Sequence, residues 1–76
     1  MYRYDLSGET TIAEAAKARL RNQPHIAAQR IWCEYRQGHL FLRGQVPSYY
    51  HKQLAQTAVA GLEGVEQVVN EIEVVW

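Results

Sequence analysis

Residues Gly38 to Trp76 constrain the fold more than any other part of the chain. They read Gly-His-Leu-Phe-Leu-Arg-Gly-Gln-Val-Pro-Ser, then an alanine-rich segment, then Gly-Leu-Glu-Gly-Val-Glu-Gln-Val-Val-Asn-Glu-Ile-Glu-Val-Val-Trp. Alternating apolar residues give way to a three-four spacing and then return to alternation. That is strand, helix, strand in about 39 residues, close to the minimum for one βαβ unit. Ser48 is suited to cap the helix. Leu54, Ala55, Ala58, Val59 and Leu62 form its buried face, and the Gly61–Gly64 stretch ends it. Two strands joined by such a helix run parallel, with a right-handed crossover.

The upstream half adds one helix and one strand. Strand 1 is predicted over Arg30 to Arg36 and strand 2 over His39 to Val46, joined by a two-residue turn at Gln37-Gly38. This turn sets Tyr35 opposite Leu40, Cys33 opposite Leu42 and Ile31 opposite Gly44, so both apolar sets share one face. Strand 3 follows from Val65, with Val68, Asn70, Ile72 and Val74 on one side. A helix is predicted from Thr10 or Thr11, where Thr11 and Glu14 fit a capping box. Its apolar stripe is Ile12, Ala16 and Leu20, with Ala13 beside them. Lys17, Arg19 and Arg21 crowd its C-terminal half, and Pro24 ends it. Residues 25–29 form a linker with a turn around Ile26.

The predicted fold is α+β: one α-β-β-α-β domain, with two helices on one face of a three-stranded mixed sheet. Residues 1–9 read as a flexible arm, whose Tyr2 and Tyr4 are free to pack on the domain, and residues 10–76 as the domain. The other sheet face carries Glu34, Arg43, Glu71 and Glu73. A basic residue on the central strand between acidic neighbours favours strand order 1-2-3. Gly44 sits in the core-facing row, and the expected reason is close approach of a helix through Ala55 or Ala58.

Composition narrows the function classes. Eight basic and eight acidic residues give zero net charge, without the basic stripe of nucleic-acid binders. One cysteine, Cys33, allows no intramolecular disulfide and no cysteine-based metal site. Its alternation with Ile31 and Tyr35 reads as a core residue. His25, His39 and His51 show no metal-ligand spacing. No nucleophile-base pair and no phosphate loop appears, so an enzyme and a bound cofactor are not expected. No apolar run reaches the length of a membrane span, and the first residues lack a secretory core. As written, the chain is expected in the cytoplasm unless a longer precursor exists.

Two groups of residues are candidates for binding. Trp32, Phe41 and Arg43 share the helix-free sheet face, where Trp32 lies opposite Arg43 and the cation is placed to stack on the indole. This face reads either as a contact surface or as ordinary cross-strand packing. Tyr49 and Lys52 open the second helix beside Tyr50 and His51. That cluster suits a membrane interface, or it is a solvated first turn with Tyr50 over Leu54. Lys17, Arg19 and Arg21 supply cations on the first helix. Gly61-Leu-Glu-Gly64 matches a nucleic-acid clamp in spacing, but a helix-to-strand position with an acid inside favours the cap.

The residues Gly38-x-Leu-x-Leu-x-Gly44-x-Val46, then Ala55 and Ala58, then Gly64-Val65-x-x-Val68-x-Asn70-x-Ile72-x-Val74 resemble the BON domain of bacterial envelope and stress proteins. The resemblance covers roughly Ile12 to Val75 and implies two helices on a three-stranded sheet. It implies a non-catalytic module that binds a phospholipid surface or an envelope-associated partner, and a periplasmic setting. The alternative expectation is a protein-protein or weakly self-associating domain that uses the open sheet face.

Overall fold

A two-residue turn anchors the sheet. Gln37 and Gly38 both have positive φ, 50° and 88°, the pattern of the turn whose twist matches a hairpin. The computed structural model describes residues 6–75, with side chains from residue 11 onward. Its elements are α1 (Leu6–Arg21), β1 (Arg30–Arg36), β2 (His39–Val46), α2 (Tyr49–Ala58), β3 (Gln67–Asn70) and β4 (Glu73–Val74). β1 and β2 are antiparallel, with Tyr35 opposite Leu40, Cys33 opposite Leu42 and Ile31 opposite Gly44. β3 and β4 both run parallel to β2, which is therefore central. The α-β-β-α-β order and the strand order 1-2-3 agree with the sequence reading.

Alternation then fixes the layers. Leu40, Leu42, Val46 and Ile72 are fully buried and meet Ala16 and Leu20 of α1, Ala55 of α2 and Val59 at its C-terminal cap. Both helices therefore cover one face. Ala16 and Ala55 have no exposed surface, which lets the helices lie close to the sheet. Ile26, in the linker, is also buried, held by successive turns in which the Ile26 amide donates to Gln23 O and the Gln29 amide to Ile26 O. Ser48 caps α2: its hydroxyl oxygen accepts the His51 amide at 3.3 Å.

Four local expectations change. α1 begins at Leu6, ahead of Thr10, so Thr11 lies inside the helix and the Thr11–Glu14 capping box does not form. A Ser-Gly pair costs only about 1 kcal/mol in a helix interior, too little to stop a helix. Glu14 instead meets Lys17 at 3.5 Å. The expected packing of Tyr2 and Tyr4 lies outside the described residues.

α2 ends at Ala58 with Val59 as its cap, before the glycines. Arg19 reaches over from α1 and donates to Ala58 O and Ala60 O, at 3.3 and 3.0 Å. It satisfies carbonyls that a glycine cap would otherwise serve. Gly61 and Gly64, with φ of 76° and 92°, turn the chain towards the last strand.

That strand is in two pieces, β3 and β4, with one register throughout: Leu42 pairs with Asn70, and Gln45 with Glu73. At the break the Asn70 side chain bonds both ways. Its amide nitrogen donates to Lys52 O at 3.0 Å and Gln56 Oε1 at 3.1 Å, and its oxygen accepts the Ile72 amide at 3.2 Å. Asn70 thus ties the edge of the sheet to α2 and occupies an edge donor that another chain would otherwise seek.

Gly44 is required for a different reason from the one expected. Its φ is 139°, and a Cβ there would lie 1.9 Å from Arg30 O and 2.9 Å from Ile31 Cα. The backbone of the neighbouring strand, not a helix, fills the space.

Candidate functional site

The helix-free face is built by the alternate residues of the same strands. Its centre is Arg43 on β2, which forms an ion pair with Glu71 at 2.9 Å and a longer one with Glu34 at 3.7 Å. Arg36 also approaches Glu34, at 3.7 Å. The guanidinium groups of Arg43 and Arg36 lie 5.5 and 5.6 Å from the centre of the Phe41 ring. The expected stacking of Arg43 on Trp32 is thereby corrected. Arg43 and Trp32 are cross-strand partners, but two carboxylates and Phe41 draw the cation away from the indole. Phe41 is half-buried by its neighbours. Trp32 stays 57% exposed.

Trp32 borders two concavities. One, of about 220 Å³, lies between the end of α1, the linker and the start of β1. Leu20, Ile26, Ala27 and Ile31 make it apolar, while Lys17, Arg21 and Gln29 stand around it with the indole. Apolar walls with a few convergent polar groups are typical of binding sites. The other, of about 410 Å³, is on the open face, between Arg30 and Trp32 on one side and Glu71 and Glu73 on the other.

The structure thus brings together three of the sequence candidates, Lys17, Arg21 and Trp32. Arg43 joins Trp32 at the second concavity, and Phe41 flanks Arg43. Arg19 is diverted to the end of α2. Tyr49 and Lys52 form a separate pair on α2, with the ammonium 5.7 Å from the ring centre. Tyr50 is 58% exposed, its ring edge-on to His25 and His51 at 6.2 and 5.7 Å. It belongs to the surface rather than to a packed contact.

Sequence reasoning missed Ile26, Ala27 and Gln29 as cavity walls, because a linker carries no period. It also passed over Arg30, and it placed Glu73 on the open face without making it a binding candidate. Their signal was available: strand alternation puts Arg30 in the row of Trp32, and Glu73 in the row of Glu71.

Cys33 lies under α1, where its thiol points to Ala13 O at 3.8 Å. Burial pushes the thiol pKa up from its ordinary value; Lys17 opposes this and Glu14 adds to it. A raised pKa favours the protonated thiol, which suits a packing group beneath α1. Among the described residues no three His, Cys, Asp or Glu side chains gather to hold a metal. No helix among them is long and apolar enough to cross a membrane.

Comparison with known proteins agrees with the fold. The family model described as "BON domain" matches residues 8–75, nearly the whole chain. No curated protein matches it.

Proposed function

The chain belongs to the BON domain family, and from that premise we propose that it is a non-catalytic binding module for an anionic phospholipid surface. The observation that carries this reading is the meeting of Lys17, Arg21 and the exposed Trp32 around the apolar cavity at the end of α1. Two cations attract anionic headgroups, an indole suits the headgroup region, and the apolar recess accepts hydrocarbon. The attraction is local, since net charge is zero, and it must fall with salt because exposed charges are screened over about 8–10 Å. Tyr49 and Lys52 are secondary contacts.

Co-sedimentation tests it. The protein is expected to pellet with vesicles containing phosphatidylglycerol at low salt, and not with pure phosphatidylcholine. Lys17→Gln with Arg21→Gln should abolish the pelleting. Equal recovery from both vesicle types, or none from either, removes the lipid reading.

A second reading is self-association through the open face, where Trp32 and Val75 are 57% and 41% exposed. Sedimentation equilibrium of the wild type and Val75→Asp tests it. A strict monomer at high concentration ends it.

A further inference from the structure

The open face divides into groups that are already paired and groups that are not. Arg43, Glu71, Glu34 and Arg36 form one connected ion-pair set. Arg30 forms no ion pair among the described residues. Glu73 has one side-chain contact there, accepting from Gln45 Nε2 at 3.4 Å. The Trp32 indole is exposed and has lost its cross-strand cation to Phe41. These three groups, none of them in an ion pair among the described residues, line the same concavity of about 410 Å³.

Their arrangement follows from the register. Arg30 faces Gln45, and Gln45 faces Glu73, so one cross-sheet row runs from cation to amide to anion. The neighbouring row begins with Trp32 and Arg43. A ligand lying along the first row meets a positive charge at one end and a negative charge at the other. The indole stands beside it on the Arg30 side of the sheet.

We propose that this concavity binds a small zwitterion with an alkylated ammonium, such as a betaine. Its carboxylate meets Arg30. Its ammonium lies in the field of Glu73, with the Trp32 indole as the opposite wall of the concavity. An alkylated ammonium has no N–H to leave unsatisfied, so it gives up little on leaving water for an aromatic face. A simple anion gains Arg30 but is repelled by Glu73, and the other cation lining the concavity, Arg43, is already paired with Glu71 and Glu34. A simple cation gains Glu73 and Trp32 but is repelled by Arg30. The zwitterion alone matches both ends of the row.

The site is distinct from the phospholipid cavity, although Trp32 borders both. Titration of the 15N-labelled protein with glycine betaine at constant ionic strength, followed by amide and indole NMR shifts, tests the inference. Saturable shifts are expected at the Trp32 indole N–H and the Gln45 side-chain amide. Glu73→Gln and Arg30→Gln should each weaken binding about threefold or more. Tetramethylammonium and acetate, used as half-ligands, should bind at least that much more weakly.

No saturable shift, shifts centred elsewhere, or unchanged affinity in both variants overturns the proposal. Equal binding of either half-ligand also overturns it. Vesicle pelleting by Glu73→Gln and Arg30→Gln should be unchanged, and betaine shifts should survive Lys17→Gln with Arg21→Gln. The two sites can therefore fail separately.

Discussion

The two faces of the sheet are made from the same three strand paths, yet they obey different rules. Beneath the helices, Leu40, Leu42, Val46 and Ile72 are at most 1% exposed, and no polar side chain is fully buried among the described residues. On the open face, charges pair across strands and Trp32 stays in water. Burial enforces the first face, because each apolar side chain removed from water stabilises the fold by roughly 1.5–3 kcal/mol. The second face is held by exposed ion pairs worth about 0–1 kcal/mol each. It is therefore free to carry binding groups at little expense to stability. The contrast predicts large effects where the structure closes on itself and small ones where it meets solvent.

Gly44 should show the largest effect. Gly44→Val places a side chain against the Arg30 carbonyl and forces a residue that disfavours positive φ into that region. A loss of about 3–5 kcal/mol in urea unfolding is expected, or failure to fold. An unchanged midpoint would mean that β1 and β2 do not approach as described.

Asn70 comes next, at the boundary between the two regimes. Asn70→Leu keeps the size but removes the bonds to Lys52 O and Gln56 and leaves the Ile72 amide without its acceptor. A loss of about 1–3 kcal/mol is expected, with faster hydrogen exchange at Ile72. Exchange as slow as in the wild type would dissociate Asn70 from the strand break.

Arg19 should matter less, because its bonds are exposed. Arg19→Met retains the aliphatic stem and strips the cap from Ala58 O and Ala60 O. The expected loss is about 0.5–1.5 kcal/mol, with faster amide exchange in the last turn of α2. A variant as stable as the wild type would return the end of α2 to the glycines.

Trp32 sharpens the comparison from the other side. Trp32→Ala should leave stability within about 0.5 kcal/mol, as for a surface substitution, while weakening binding at both concavities. A large loss of stability would mark Trp32 as a packing residue and undo its reading as a solvent-facing residue of the open face.

Much of this was legible in the residues. The Gln37-Gly38 turn and the alternation on either side of it fix the β1–β2 register, and the predicted pairs Tyr35–Leu40, Cys33–Leu42, Ile31–Gly44 and Trp32–Arg43 all form. The acidic flanks of Arg43 gave the strand order. The candidate site was legible only in part: Trp32 and the α1 cations were found, but not that Lys17 and Arg21 share a cavity with Trp32 while Arg19 does not. Three residues with the same charge on one helix are alike in sequence. Only their angular positions relative to α2 and β1 tell them apart.

The sequence by itself determined which side of each strand is buried, the register of the hairpin, and the family. These depend on local periods and on turn chemistry, which neighbouring residues settle among themselves. Tertiary structure alone decided why Gly44 must be glycine, which carbonyls Arg19 caps, how Asn70 bridges the edge to α2, and where Arg30, Trp32 and Glu73 converge. Each of these is a contact between residues distant in the chain, and its geometry exists only once the helices and strands have packed.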